Sequence, residues 1–156
     1  ITIAGGSAGG HLALYQATRP ENSTTFQCVI SAAGPSDLVS GNNNQNYPVT
    51  KFIINYVFGN NLSVLSNNSP TYQIQNLKTN KLLLVHQLQD NLVPIDHALR
   101  MMAAVNSNKP GLALTSYFLN DTNTLPIFNP TPEQITHVPN PNINDGIATY
   151  VQQECR

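Results

Sequence analysis

An α/β architecture built on a doubly wound, mostly parallel sheet follows from three features of the 156-residue sequence. Uninterrupted apolar runs at residues 26–33 and 82–85 have the length of strands covered on both faces. Strand-like runs are followed repeatedly by a turn and a helical stretch, the order that builds parallel sheets. With 40% of residues apolar, the chain can fill one core but is too short for two domains of ordinary size.

Taken in order, residues 1–4 are a short β-prone run that ends in Gly5-Gly6-Ser7-Ala8-Gly9-Gly10. Residues 11–15 then continue without a breaker toward Pro20, giving strand, tight turn and helix. Residues 26–33 form the next buried strand, closed by Gly34-Pro35. From Val39 the pattern loosens. Gly41 through Asn46 is polar and low in complexity, while Phe52, Ile53, Ile54, Tyr56, Val57 and Phe58 form an apolar cluster ended by Gly59. Residues 39–70 therefore read as an insert or cap-like segment over the site, with one helix. Residues 81–87 make a third strand, followed by a turn with Asp90. Pro94 then starts a helix whose apolar positions Ile95, Ala98, Leu99, Met102, Ala103 and Val105 recur at three- and four-residue steps. Residues 112–119 alternate as a strand does, residues 120–141 form a Pro- and Asn-rich loop, and residues 145–155 close as a short helix capped by Asn144. The whole chain, 1–156, reads as one partial domain without internal repeats.

Composition excludes several classes of function. Seven Lys+Arg against eight Asp+Glu leave a formal charge of −1, so no basic field exists to hold a nucleic acid or an anionic membrane surface. No apolar run approaches the ~20 residues of a bilayer span, and the first residues show no charged segment leading into an apolar run and a cleavage site. Charged residues make up only 10%, against about 25% in an average soluble domain. Asparagine, at 21 of 156 positions, fills the gap. Four Asn-x-Ser/Thr sequons, at Asn22, Asn61, Asn67 and Asn120, suit a secreted glycoprotein, although an Asn-rich chain produces some by chance. Cys28 and Cys155 can form one bridge in an oxidising compartment but lack metal-ligand spacing. These signals lean toward an extracellular location and imply no oligomeric state.

Chemistry concentrates at Gly5-Gly6-Ser7-Ala8-Gly9, which satisfies G-x-S-x-G between an apolar strand and an unbroken helical stretch. A nucleophile on so sharp a turn needs small neighbours, because its own backbone is strained and helix and strand pack closely around it. Ser7 would then project at the carboxyl end of the sheet. Ala8, through its N–H at the helix start, and Gly6 beside it are the expected oxyanion or substrate-binding positions. A plain glycine-rich turn or a phosphate cradle is the competing reading, but the cradle's Lys-Ser/Thr pair and G-x-G-x-x-G register are both missing.

Serine at neutral pH needs a base, and the base an orienting carboxylate. Asp90, just past the third strand, is placed to deliver its carboxylate to the same sheet edge as Ser7. Asp96 is a weaker rival in the first helical turn, where acids favour the helix dipole. Asp37 is expected to make a turn or a substrate-side contact. Of four histidines, His137 is the expected base, downstream of the acid in the loop before the last helix. His86 should bond backbone at a strand end, His97 should be half-buried or surface on its helix, and His11 should pack with a satisfied ring. So long a loop must be docked to hold the His137 ring steady.

On these segments, together with Gly34-Pro35-Ser36-Asp37-Leu38, Ser69-Pro70, Leu82-Leu83-Leu84-Val85-His86 and Val93-Pro94, the chain resembles the C-terminal half of an α/β-hydrolase of the esterase/lipase type. It is most similar to hormone-sensitive-lipase-like and acetyl- or feruloyl-esterase-like families, over residues up to about 105. The resemblance implies a Ser7, Asp90, His137 triad, no cofactor, no metal, and hydrolysis of a small-molecule carboxylic ester through an acyl-enzyme. Prolyl-oligopeptidase-type peptidases share the Asp90 to Pro94 pattern but usually place an aromatic residue where Ala8 stands, which tilts the expectation to an esterase.

Two departures stand out. The family's upstream His-Gly-Gly turn, which completes the oxyanion hole, would precede Ile1, and the usual Gly after the strand-end His is Gln87. The expectation is a fragment lacking N-terminal strands and weak or inactive alone. The alternatives are a prolyl-oligopeptidase-like serine peptidase and a non-catalytic hydrolase-like binding module.

Overall fold

A computed structural model describes residues 1–119, His137 and 141–156, the side chains of 141–143 aside. Four strands, β1 (Thr2–Gly6), β2 (Phe26–Ala32), β3 (Thr79–Gln87) and β4 (Ala113–Leu119), pair in parallel in the order β1-β2-β3-β4. The helices are α1 (Ala8–Thr18), α2 (Leu38–Asn43), α3 (Pro48–Phe58), α4 (Leu62–Asn67), α5 (Asp96–Asn108) and α6 (Pro141–Glu154), with a 3-10 turn at Ile74–Asn76.

Why the central strands read as continuous apolar runs is plain from their two faces. In β3, Leu82 and Leu84 point to one side and Leu83 and Val85 to the other, as the two-residue period of a strand requires. Leu82 and Leu84 join Val29 of β2, Ala13, Leu14 and Ala17 of α1, and Met101 and Val105 of α5. Leu83 and Val85 join Cys28, Ile30 and Ala32 of β2 and Tyr150 of α6. Helices cover both faces, so the sheet is doubly wound, as the sequence predicts. A disulfide joins Cys28, inside β2, to Cys155, just past α6. It ties the helix covering the second face to the centre of the sheet.

Several boundaries differ from the sequence expectation. The stretch 39–70 carries three short helices rather than one, because local caps start new turns where the apolar period is weak. The Asp37 carboxylate accepts from Ser40 N at 2.8 Å to begin α2, Pro48 opens α3, and the Asn61 side chain accepts from Ser63 N and Val64 N to begin α4. Helix α5 starts at Asp96, two residues after Pro94. Asn144 is no cap: α6 begins at Pro141, so Asn144 lies within its first turn. The loop expected at 120–141 lies outside the described residues except for His137 and the first residue of α6, and so does the Asn120 sequon.

Candidate active site

Ser7 stands between β1 and α1 with φ 53 and ψ −123. With Ala33 it is one of two described non-glycine residues at positive φ, a conformation that costs on the order of 1–3 kcal/mol. The surrounding backbone holds it there. Ser7 N donates to Ala32 O at 2.8 Å, and Ser7 O accepts from His11 N at 3.1 Å. Serine is a good helix N-cap, yet this hydroxyl makes no capping bond and stays available for other work.

The glycines divide sharply in what they do. A Cβ on Gly5 would lie 2.2 Å from the Gly9 carbonyl oxygen, so the strand can meet the helix only if that side chain is hydrogen. Gly34, after β2, is equally confined, with a Cβ there falling 2.6 Å from the Gly10 carbonyl carbon. Gly9 itself faces open space. Gly6 closes β1 opposite Ala32, and a Cβ there would only touch the Ala32 carbonyl at 3.8 Å. Ala8 is the first residue of α1, and N–H groups of a first turn have no partner within the helix.

Three side chains predicted to act together lie within hydrogen-bonding distance of one another. His137 Nε2 is 2.7 Å from Ser7 Oγ, and His137 Nδ1 is 2.8 Å from Asp90 Oδ2. A carboxylate can only accept, so Nδ1–H donates to Asp90 and Nε2 accepts from the Ser7 hydroxyl. Two of them follow carboxyl ends of parallel strands, Ser7 directly after β1 and Asp90 three residues past the last residue of β3, while His137 lies later in the chain than β4. The His137 ring is buried.

Asp90 is also buried and held from several sides. Its Oδ1 accepts from Leu92 N at 2.9 Å and Val93 N at 2.8 Å. The His86 ring nitrogen Nε2 bonds the Val93 carbonyl at 2.8 Å and lies 3.4 Å from Asp90 Oδ2. Burial by itself pushes the Asp90 carboxyl up, but hydrogen bonds from His137 and His86 outweigh it and hold the group below its usual value. The turn forms without the glycine expected at 87: Gln87 stays in β3, paired with Leu119, and its carbonyl accepts from Asp90 N.

The rival groups are occupied elsewhere. Asp96 pairs with Arg100 at 2.5 Å, and Asp37, besides capping α2, lies 3.6 Å from the same guanidinium. Both acids line a polar cleft of about 430 Å³ with Ser40, Tyr72 and Arg100. His11 bonds the Pro35 carbonyl at 2.7 Å and stacks on Tyr15. His97 differs from expectation: it is 1% exposed, because its ring turns inward from α5 and accepts from Asp37 N at 3.2 Å. Burial drives its pKa down to about 4, so the ring is neutral. Among the described residues, no group of three or more His, Cys, Asp or Glu side chains could hold a metal ion, and no helix is long and apolar enough to cross a membrane.

Two further contacts had no sequence signal. Tyr47 Oη donates to the Asp90 carbonyl at 3.3 Å, and the Thr50 hydroxyl donates to the Leu92 carbonyl, so α3 is pinned to the loop that carries the acid. These partners lie more than forty residues apart, and only folding brings them together.

Residues 1–121 match the sequence family described as the prolyl oligopeptidase family. The chain belongs to that family. No curated protein matches this family member by sequence. Among solved structures, it is similar to an acylaminoacyl peptidase from Pyrococcus horikoshii, with 22% identity and a TM-score of 0.67, covering 78% of this chain and 19% of that one. It is also similar to a puromycin-hydrolysing peptidase from Mycobacterium tuberculosis, with 27% identity and a TM-score of 0.60, covering 75% of this chain and 18% of that one. The chain thus spans about a fifth of the length of these relatives. The α/β-hydrolase resemblance holds, but the esterase/lipase subtype does not: membership of the prolyl oligopeptidase family replaces it. The tilt toward esterase rested on Ala8, whose side chain is exposed. What an oxyanion needs from that position is the backbone N–H, which every residue but proline supplies, so the side chain there does not report substrate class.

Proposed function

We propose that this chain carries the catalytic groups of a serine peptidase, which cleaves the acyl bond of short peptides or acylated amino acids through an acyl-enzyme. The observation that carries this reading is the continuous hydrogen-bonded path from Ser7 Oγ through the His137 ring to Asp90. Family membership and the likeness to the two peptidases support peptide over ester substrates.

In this reading Ser7 Oγ attacks the substrate carbonyl carbon while its proton passes to His137 Nε2. The N–H of Ala8 meets the developing oxyanion, and Asp90 steadies the charged imidazole. His137 then gives the proton to the departing amine, and water repeats the sequence on the acyl-enzyme. Residues 39–70 form the substrate-side cover, supported by the bonds from Tyr47 and Thr50 to the Asp90 loop.

Two measurements on the full-length protein test this. A fluorophosphonate should label wild type at Ser7 and leave Ser7→Ala unlabelled. An acylated or free aminoacyl p-nitroanilide should then be turned over with a kcat/KM above that of a short-chain p-nitrophenyl ester, once each is corrected for its uncatalysed rate. Labelling without peptide turnover would return the protein to the esterases, and absence of labelling would make the elbow a structural relic in a binding module.

A further inference from the structure

We infer that Asn61 is an N-glycosylation site. The Cys28–Cys155 disulfide is of the kind that forms and persists in oxidising, secretory compartments. In such a compartment an Asn-x-Ser/Thr sequon meets an oligosaccharide carried on a lipid diphosphate. The C1–O bond to the diphosphate breaks, the lipid diphosphate leaves, the C1–Nδ2 bond forms, and Nδ2 gives up one of its two protons.

The described sequons are not equally compatible with a glycan in the folded chain. At Asn22 the side-chain nitrogen is spent within the fold, donating to Gln16 O at 3.0 Å and Thr24 O at 3.3 Å. At Asn67 the sequon's hydroxyl is the problem: Ser69 is fully buried, its Oγ donating to Leu65 O at 2.7 Å and accepting from Leu38 N at 2.8 Å. Asn61-Leu62-Ser63 has neither obstacle. All three residues are exposed. Asn61 uses only its oxygen, accepting from Ser63 N at 2.9 Å and Val64 N at 3.2 Å to cap α4. A sugar on Nδ2 leaves that cap intact. It would stand beside Leu62, which is 64% exposed.

The test is secretion of the full-length protein from eukaryotic cells, glycan release in heavy-oxygen water, and peptide mass spectrometry. Conversion of Asn61 to heavy-labelled Asp is expected, along with loss of one glycan's mass in Ser63→Ala, a change that keeps the cap. Unmodified Asn61 in secreted, disulfide-bonded protein overturns the inference. So does a glycan at Asn22 or Asn67 with none at Asn61.

A separate observation concerns His86, and we propose it as a positioning residue for the acid. It rests on the reading of Ser7, Asp90 and His137 as a triad. A carbonyl can only accept, so His86 Nε2 carries the proton it donates to Val93 O, and that same N–H faces Asp90 Oδ2 at 3.4 Å. One imidazole thereby ties both ends of the loop at 90–93 and stands beside the oxygen that His137 uses. The titratable groups facing it are Asp90, His97 from α5 and, through the shared carboxylate, His137.

Removing the donor in His86→Leu leaves the Val93 carbonyl without this partner and the 90–93 loop less tied, so Asp90 is held less well against His137, while the charge His86 no longer shares is left to the imidazolium. The expected result is a fall in kcat of about 10-fold, the scale of a hydrogen bond to a charged group, with KM unchanged and the acid limb of the kcat/KM profile moved to higher pH. His86→Gln, which keeps an N–H, should restore both. If wild type is labelled at Ser7 but neither variant moves the acid limb, the positioning role is wrong while the triad stands. If wild type is not labelled, the triad itself fails.

Discussion

At the scale of single residues, Asp90 shows how burial and hydrogen bonding compete. Its carboxylate has left water, which disfavours charge, yet two backbone N–H groups on one oxygen and imidazole nitrogens on the other keep it ionised. Asp90→Asn should preserve shape but invite the wrong tautomer of His137, lowering kcat by about 10⁴-fold; steady-state kinetics on the full-length protein check this. His97 carries a different prediction. Its pKa falls from 6.5 in the unfolded chain to about 4 in the fold. Below pH 6.5 the unfolded chain takes up a proton that the native state refuses, so native stability declines until about pH 4, by roughly 3 kcal/mol at the limit. Asp90 adds loss of the same sign further down, below its ordinary carboxylate value. Urea unfolding at about pH 7 and about pH 5 should show the decline, and His97→Gln, which can still accept from Asp37 N, should flatten it. An equally steep variant would count against a neutral buried His97.

At the scale of elements, the strand-to-helix turn at Ser7 depends on close approach rather than on glycine as such. Gly5→Ala drives a methyl group into the Gly9 carbonyl and should destabilise by about 1–3 kcal/mol, with loss of Ser7 labelling as the turn opens. Gly9→Ala faces open space at a helical position and should be neutral or gain up to about 1 kcal/mol. Chemical denaturation of the pair decides this. Were the two variants equally damaging, the clash at Gly5 would not be what shapes the turn. The G-x-S-x-G pattern was visible in the sequence, but which of its glycines is indispensable was not, because that depends on a carbonyl four residues away in the folded chain. The same limit explains α2 to α4: apolar periodicity showed one helix, while caps at Asp37 and Asn61 act through single side-chain bonds that leave no period.

At the scale of the whole molecule, the disulfide connects the core to the helix that follows His137. It spans a sequence separation of 127, for which loop-closure entropy gives about 4–5 kcal/mol of stabilisation. Cys155→Ser should therefore lower the melting temperature markedly and weaken Ser7 labelling, since α6 anchors the chain just beyond His137. A variant with wild-type melting and labelling would show that packing of Tyr150 and its neighbours suffices without the bridge. The sequence by itself determined the α/β class, the strands and the order Ser7, Asp90, His137, because hydrophobic period, glycine clusters and chain order are local properties. Only the tertiary structure decided that the imidazole meets both partners, that His97 is buried and neutral, and that Tyr47 and Thr50 brace the acid loop. Those are distances between residues far apart in the chain, set by how the sheet and its helices pack.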